Sequence, residues 1–140
     1  MSDEFHTGGC LCGALRYEIR ARCLQTTVCH CEDCRKASGA PFVAWSFFPT
    51  GSLIWKRGNP KLLLHAERER AFCGECGSPL TFFDPAIPDL FEANTNSLDN
   101  PSGYPPADQC WLCDELAWTP HVSALPRFDQ SAPLPEVGPP

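Results

Sequence analysis

A chain of 140 residues with ten cysteines, 15 prolines and 10 glycines has room for one domain with a modest core, built from short strands and turns. Its formal charge of −6 and scattered basic residues offer no patch for a nucleic-acid backbone. No apolar run approaches the ~18 residues of a spanning helix, and the polar, acidic start MSDEFHTGG lacks the apolar stretch of a secretory signal.

A cytoplasmic protein with no nucleic-acid or membrane partner is therefore expected. In that reducing setting dense cysteine reads as metal binding; a disulfide framework is the alternative if the chain is secreted.

Residues 15–20 alternate apolar and polar side chains and predict a half-buried strand. Residues 26–29 predict a second strand, running into a dense cysteine cluster. The segment 33–38 has length for only a turn or two of helix, closed by Gly39 and Pro41. An aromatic-rich strand over 42–48 is followed by strands at 52–56, 61–65 and 67–72, with turns at 50–51 and 57–60. Further strands are expected at 80–83, 90–95 and 111–113, and 96–107 is a loop by composition. The aromatic residues Phe42, Trp45, Phe47, Phe48, Phe72, Phe82, Phe83 and Trp118 are expected in the core. Residues from Ser131 onward lack periodicity, so one domain over 1–128 and a flexible, proline-rich tail over 129–140 are expected.

The cysteines fall into sets. Cys73-Gly-Glu-Cys76-Gly77 has the form of a zinc knuckle, in which glycine lets the chain turn tightly beneath two thiolates. Paired with Cys10-Leu-Cys12-Gly13, it predicts a closed four-thiolate site joining the first strand to the middle of the sheet. A redox-active Cys-x-x-Cys is the alternative, and iron would suit the same cage.

The second set, Cys29, Cys31 and Cys34, supplies three thiolates from six residues, leaving a tetrahedral zinc one vertex for a catalytic or exchangeable ligand. His30 points away from its neighbours in an extended segment, and a buried structural role is expected for it. Arg35 either offsets the thiolates or forks onto a substrate carboxylate, its alternative being a solvated charge at the helix end. Glu32 and Asp33 are the candidate general bases. Cys110 and Cys113 are expected to be free, mostly buried thiols, a third metal pair or a disulfide being the alternatives, with Cys23 a lone buried or loop thiol. His6, His65 and His121 lack ligand spacing.

The blocks GGCLCGALRYEI, VCHCEDCRKASGAPFVAW and FCGECGSPLTFF, with the later SLDNP, resemble the glutathione-dependent formaldehyde-activating enzyme family, also called the centromere protein V family, from about Gly9 to Phe128. The resemblance implies a mainly β, zinc-stabilised β-tent fold of short antiparallel sheets with one or two short helical turns. It implies two Zn²⁺ ions, a structural one on Cys10, Cys12, Cys73 and Cys76 and an exchangeable one on Cys29, Cys31 and Cys34. It also implies carbon–sulfur lyase chemistry on a small thiol adduct of the glutathione–formaldehyde type. Where the family often has His, a hydrophobic residue and an aromatic, this chain has Gln109-Cys110-Trp111. A non-catalytic zinc module that binds a thiol such as glutathione, or mediates protein interaction, is the other reading.

Overall fold

The computed structural model describes residues 4–139. Met1 to Asp3, part of the acidic start, and Pro140, the end of the expected tail, lie outside the described residues. Ten strands and one short helix follow in the order β1 (His6–Gly9), β2 (Arg16–Ile19), β3 (Gln25–Cys29), α1 (Glu32–Ser38), β4 (Val43–Pro49), β5 (Leu53–Arg57), β6 (Lys61–His65), β7 (Arg68–Phe72), β8 (Pro79–Phe83), β9 (Leu90–Asn94) and β10 (Asp108–Cys110). They form a three-stranded sheet, β1-β2-β5, and a seven-stranded sheet, β10-β3-β4-β9-β8-β7-β6. All named pairings are antiparallel except β10 with β3, which is parallel. The fold is mainly β, as expected.

The main core lies where the two sheets meet. Strand β2 alternates half-buried and buried residues, sending Tyr17 and Ile19 inward to join Leu15, Phe48, Leu80, Phe91 and Leu98. Burying a side chain the size of Phe48 contributes roughly 1.5–3 kcal/mol. Tyr17 keeps its hydroxyl satisfied by Ser97 Oγ at 2.7 Å. A chain of buried hydroxyls crosses the large sheet, Thr26 Oγ1 to Ser46 Oγ at 2.7 Å and Ser46 Oγ to Thr95 Oγ1 at 2.9 Å. A second, smaller apolar cluster of Cys29, Cys34, Val43 and Trp45 has Cys31, Phe82 and Cys110 packed against it.

Three expectations are corrected. The strand expected at 111–113 is instead β10, which ends at Cys110; Trp111 adopts a left-handed conformation (φ 57, ψ 40) and Leu112–Asp114 form a 3-10 turn. Cys113 is consequently exposed, whereas Cys110 is half-buried. Trp118 and Phe42 are 55% and 40% exposed, outside the core, because the chain around Trp118 runs along the surface as 3-10 turns.

The segment 96–107 contains 3-10 turns and is pinned to the small sheet: Leu98 is buried and bridges Gly8. Strand β1, which the sequence reading lacked, pairs with β2 over its whole length. All five residues of β6, including Leu62, Leu63 and Leu64, are exposed at the free edge of the large sheet. Residues 129–139 are exposed and carry no strand or helix.

Candidate metal centres

The first site forms where two tight turns face each other. Gly13 and Gly77 follow the two cysteine pairs with φ of 80 and 78, a region costly for other residues. Their amides close the turns onto Cys10 O at 3.2 Å and Cys73 O at 2.8 Å. The sulfurs of Cys10, Cys12, Cys73 and Cys76 all lie within 4.8 Å of one another. Cys10 and Cys12 Sγ are 3.6 Å apart, and Cys12 and Cys73 Sγ 3.9 Å. Thiolates bound at ~2.3 Å to a tetrahedral ion stand ~3.8 Å from each other, so the cage has the dimensions for zinc.

Polar groups contact the Cys10 and Cys76 sulfurs. Leu15 N–H donates to Cys10 Sγ at 3.2 Å. Ser78 Oγ lies 3.1 Å from Cys76 Sγ, and this contact leads the effects that lower the Cys76 thiol to about 5. The site joins the end of β1, in the small sheet, to the β7–β8 turn near the outer edge of the large one.

The second site is built from one short stretch. Strand β3 ends at Cys29, the chain bends, and Cys31 becomes the N-cap of α1, its sulfur accepting from Cys34 N–H at 3.3 Å. Helix α1 stops at Gly39, whose left-handed φ of 70 lets its amide reach Arg35 O. Cys29 and Cys34 are buried, Cys31 is half-buried, and the three sulfurs lie within 4.8 Å of one another. The Cys29 thiol donates toward Cys34, which with Arg70 brings the Cys34 thiol down to about 5 and pushes Cys29 up.

His30 is buried and turned toward β10, with Nε2 2.9 Å from Gln109 Oε1 and its ring 5.4 Å from Phe42.

Arg35 and the local carboxylates are placed differently from the trio. Arg35 Nε donates to His30 O at 3.3 Å. The guanidinium set against the sulfurs is that of Arg70, whose Nη2 lies 3.7 Å from Cys34 Sγ while its Cζ stacks 4.7 Å above the Phe82 ring. Glu32 and Asp33 are both exposed, and Glu32 pairs with Lys36 at 3.0 Å.

A carboxyl with a raised pKa, Glu92, lies near the trio. Burial first, and then the nearby Cys34 charge, push it up to about 7. Arg70, Phe82 and Glu92 are successive partners across β7, β8 and β9, a row that only the long-range register reveals.

Two depressions flank these residues. One of 310 Å³ is lined by Ala37, Ser38, Trp45, Leu63 and Arg70, among others, and so opens beside Cys34 through Arg70. The other, of 530 Å³, carries Arg16, Asp99, Asn94 and Asn96 and reaches Cys10. Their linings have Ser38 and Pro79 in common.

A family model for glutathione-dependent formaldehyde-activating enzymes matches residues 5–114. An uncharacterized lyase of Schizosaccharomyces pombe is 32% identical over 77 residues, covering 55% of this chain; the match spans only 56% of that protein's length. A Halomonas elongata protein, provisionally described as a glutathione-dependent formaldehyde-activating enzyme, is 27% identical over 108 residues, 71% of this chain and 69% of its own. The crystal structure of a Rhodobacter sphaeroides protein superposes with a TM-score of 0.60 at 21% identity, covering 74% of this chain and 99% of that one; this likeness concerns the fold.

Proposed function

This chain belongs to the glutathione-dependent formaldehyde-activating enzyme family, and from that premise we propose that it is a zinc-dependent carbon–sulfur lyase acting on a small thiol adduct. The reading goes beyond membership in a lyase family to a metal, a substrate class and a site. The observation that carries it is the trio Cys29, Cys31 and Cys34, gathered within 4.8 Å beside the Arg70 guanidinium and next to a cavity.

In this reading Cys10, Cys12, Cys73 and Cys76 hold a structural zinc, and the trio holds a second, making a β-tent of zinc-stabilised sheets. Bound zinc supplies a Lewis acid that favours a substrate's thiolate form or polarises a carbonyl.

The chain's own residues do the rest. The trio fixes where the reacting sulfur sits. Arg70 balances negative charge on the sulfurs. The larger depression, with the amides of Asn94 and Asn96 beside the mutually paired Arg16 and Asp99, offers polar groups to a peptide thiol such as glutathione. The smaller depression beside Arg70, lined by Trp45 and Leu63 among others, suits the small aldehyde portion of the adduct and limits water there. Breaking the carbon–sulfur bond of a hemithioacetal leaves that electron pair on sulfur, turns the hydroxyl O–H pair into the new carbonyl bond and releases the proton to solvent. The reverse reaction joins thiol and aldehyde.

The second reading, a non-catalytic thiol-binding module, is favoured by the engagement of Glu32 with Lys36 and by the exposure of Asp33. The two readings separate in one experiment: hemithioacetal turnover and glutathione binding are measured on the zinc-loaded protein and on Cys31→Ser. The lyase reading expects turnover, abolished in a variant that remains folded. Saturable glutathione binding with no turnover above the uncatalysed rate would leave the module.

A further inference from the structure

Strand β10 brings a fourth cysteine alongside the second site, its sulfur lying outside the group of three that are within 4.8 Å of one another. Its parallel pairing with β3 puts Cys110 directly beside Cys29, and neighbouring strands are only ~4.8 Å apart. The register is pinned at this position, because His30 N–H donates to Cys110 O at 3.1 Å. Cys110 is half-buried and packs, with Cys31, against the apolar cluster that contains Cys29 and Cys34. Its sulfur accepts from Thr27 Oγ1 at 3.8 Å. Thr27 is two residues before Cys29 on β3, so the Cys110 sulfur leans one rung along the same face. A step of about 120° between staggered rotamers turns a side chain from one such neighbour toward the next.

The other spare thiols have no such placement: Cys113 is exposed beyond the Trp111 turn, and Cys23 donates to Gln25 O at 3.8 Å.

We propose that Cys110 is a fourth thiolate ligand of the metal held by Cys29, Cys31 and Cys34, closing the site at rest and giving up its place to an incoming small thiol. This rests on the reading that the trio holds a metal. Three thiolates leave a tetrahedral ion one ligand short, and a tethered soft sulfur is a better match for zinc than water is. The exchange is proton-neutral, since the entering thiol loses a proton and the departing Cys110 gains one. A tethered competitor has an effective concentration of millimolar order, so the site selects thiols abundant enough to displace it.

The test loads the full chain with saturating cobalt(II), reading the sulfur-to-metal charge-transfer band, and measures sulfur number in the zinc protein by X-ray absorption. Wild type should show four sulfurs per zinc. Cys110→Ala should lose about one eighth of the charge-transfer intensity, as eight thiolates become seven. Cys113→Ala should lose none. Glutathione should restore the lost intensity in Cys110→Ala at concentrations at least about tenfold below those that perturb wild type. Roughly 3.5 sulfurs per zinc in wild type, or two bound cobalt ions with unchanged spectra in Cys110→Ala, would overturn the role of Cys110 while leaving the proposed function intact. Uptake of a single ion by wild type would overturn both. The wild-type absorption measurement decides the matter even if the variant does not fold.

Discussion

Arg70 Nη2 lies 3.7 Å from Cys34 Sγ, although the two residues stand on different elements 36 positions apart. A guanidinium so placed favours thiolate over thiol at Cys34. Replacing Arg70 with Met keeps much of the packing on Phe82 and removes the charge. The expected result is a second metal held about tenfold more weakly, equivalent to ~1.4 kcal/mol, with the first unaffected. Arg70→Lys should fall between the two. Competition with a chromophoric chelator measures this, and equal affinities would refute the electrostatic role.

The two cysteine sets should fail differently. In the proposed reading zinc on Cys10, Cys12, Cys73 and Cys76 ties one sheet to the other, so Cys73→Ser would remove binding free energy that is also folding free energy. Its thermal transition should be lost or fall by well over ten degrees. Cys31→Ser disturbs one short stretch around α1 and should retain most of the far-UV dichroism of wild type. A Cys73→Ser protein that melts like wild type would count against the closed site.

Asp99 offers a test in acid. Arg16 grips it through two hydrogen bonds, of 2.8 and 2.5 Å, and Thr7 adds a third, holding its carboxyl down to about 2 from an ordinary 3.8. A depressed carboxyl stabilises the fold above the unfolded value and loses that contribution as pH falls from about 4 through 2. Because the pair is partly solvated, Asp99→Asn should cost only about 1 kcal/mol at neutral pH. The difference from wild type should vanish near pH 2. Denaturant titrations at several pH values follow it, and a constant difference would exclude the ion pair as its source.

Glu92 should behave in the opposite sense. Its carboxyl is pushed up, to about 7 from 4.5, so the folded state holds the proton more tightly than the unfolded chain does. The proton's stabilising contribution is present below about 4.5 and disappears as pH rises through 7. Glu92→Gln removes the titration. Relative to wild type, the variant should gain stability between pH 5 and pH 8, by roughly 1–2 kcal/mol. Parallel unfolding curves at both pH values would show that Glu92 does not titrate in this range.

Much of this fold was legible before any coordinates. The alternation in residues 16–19 placed Tyr17 and Ile19 inside, and α1 was bounded by its cysteines and Gly39. Strand β1 was not legible, because His-Thr-Gly-Gly has no apolar alternation; it is a strand because bare glycine fits under Tyr17. A Cβ on Gly8 would come within 2.5 Å of Ser97 O. Strand β10 was placed three residues late, since Trp111 and Leu112 have strand-forming side chains while Asp108 and Gln109 do not. Their pairing with β3 is a long-range contact with no local signature. Cysteine spacing is local, and both clusters could be read from it. Arg70 and Glu92 come to the trio through the register of three strands, which spacing does not encode.

Chain order separates the two sulfur sets in time as well as in space. Cys29, Cys31 and Cys34 leave the ribosome almost together, whereas 61 residues must be added after Cys12 before Cys73 appears. The contacts that pin the 96–107 segment to the small sheet come later still, when Leu98 meets Gly8 and Asp99 meets Arg16. A nascent chain therefore presents Cys29, Cys31 and Cys34 together before Cys73 and Cys76 exist to complete the four-sulfur cluster between the sheets. Under the proposed two-zinc reading, an ion met early in synthesis would find the three-sulfur site first, and the ion joining the sheets could be sealed in only once the chain has passed Cys76.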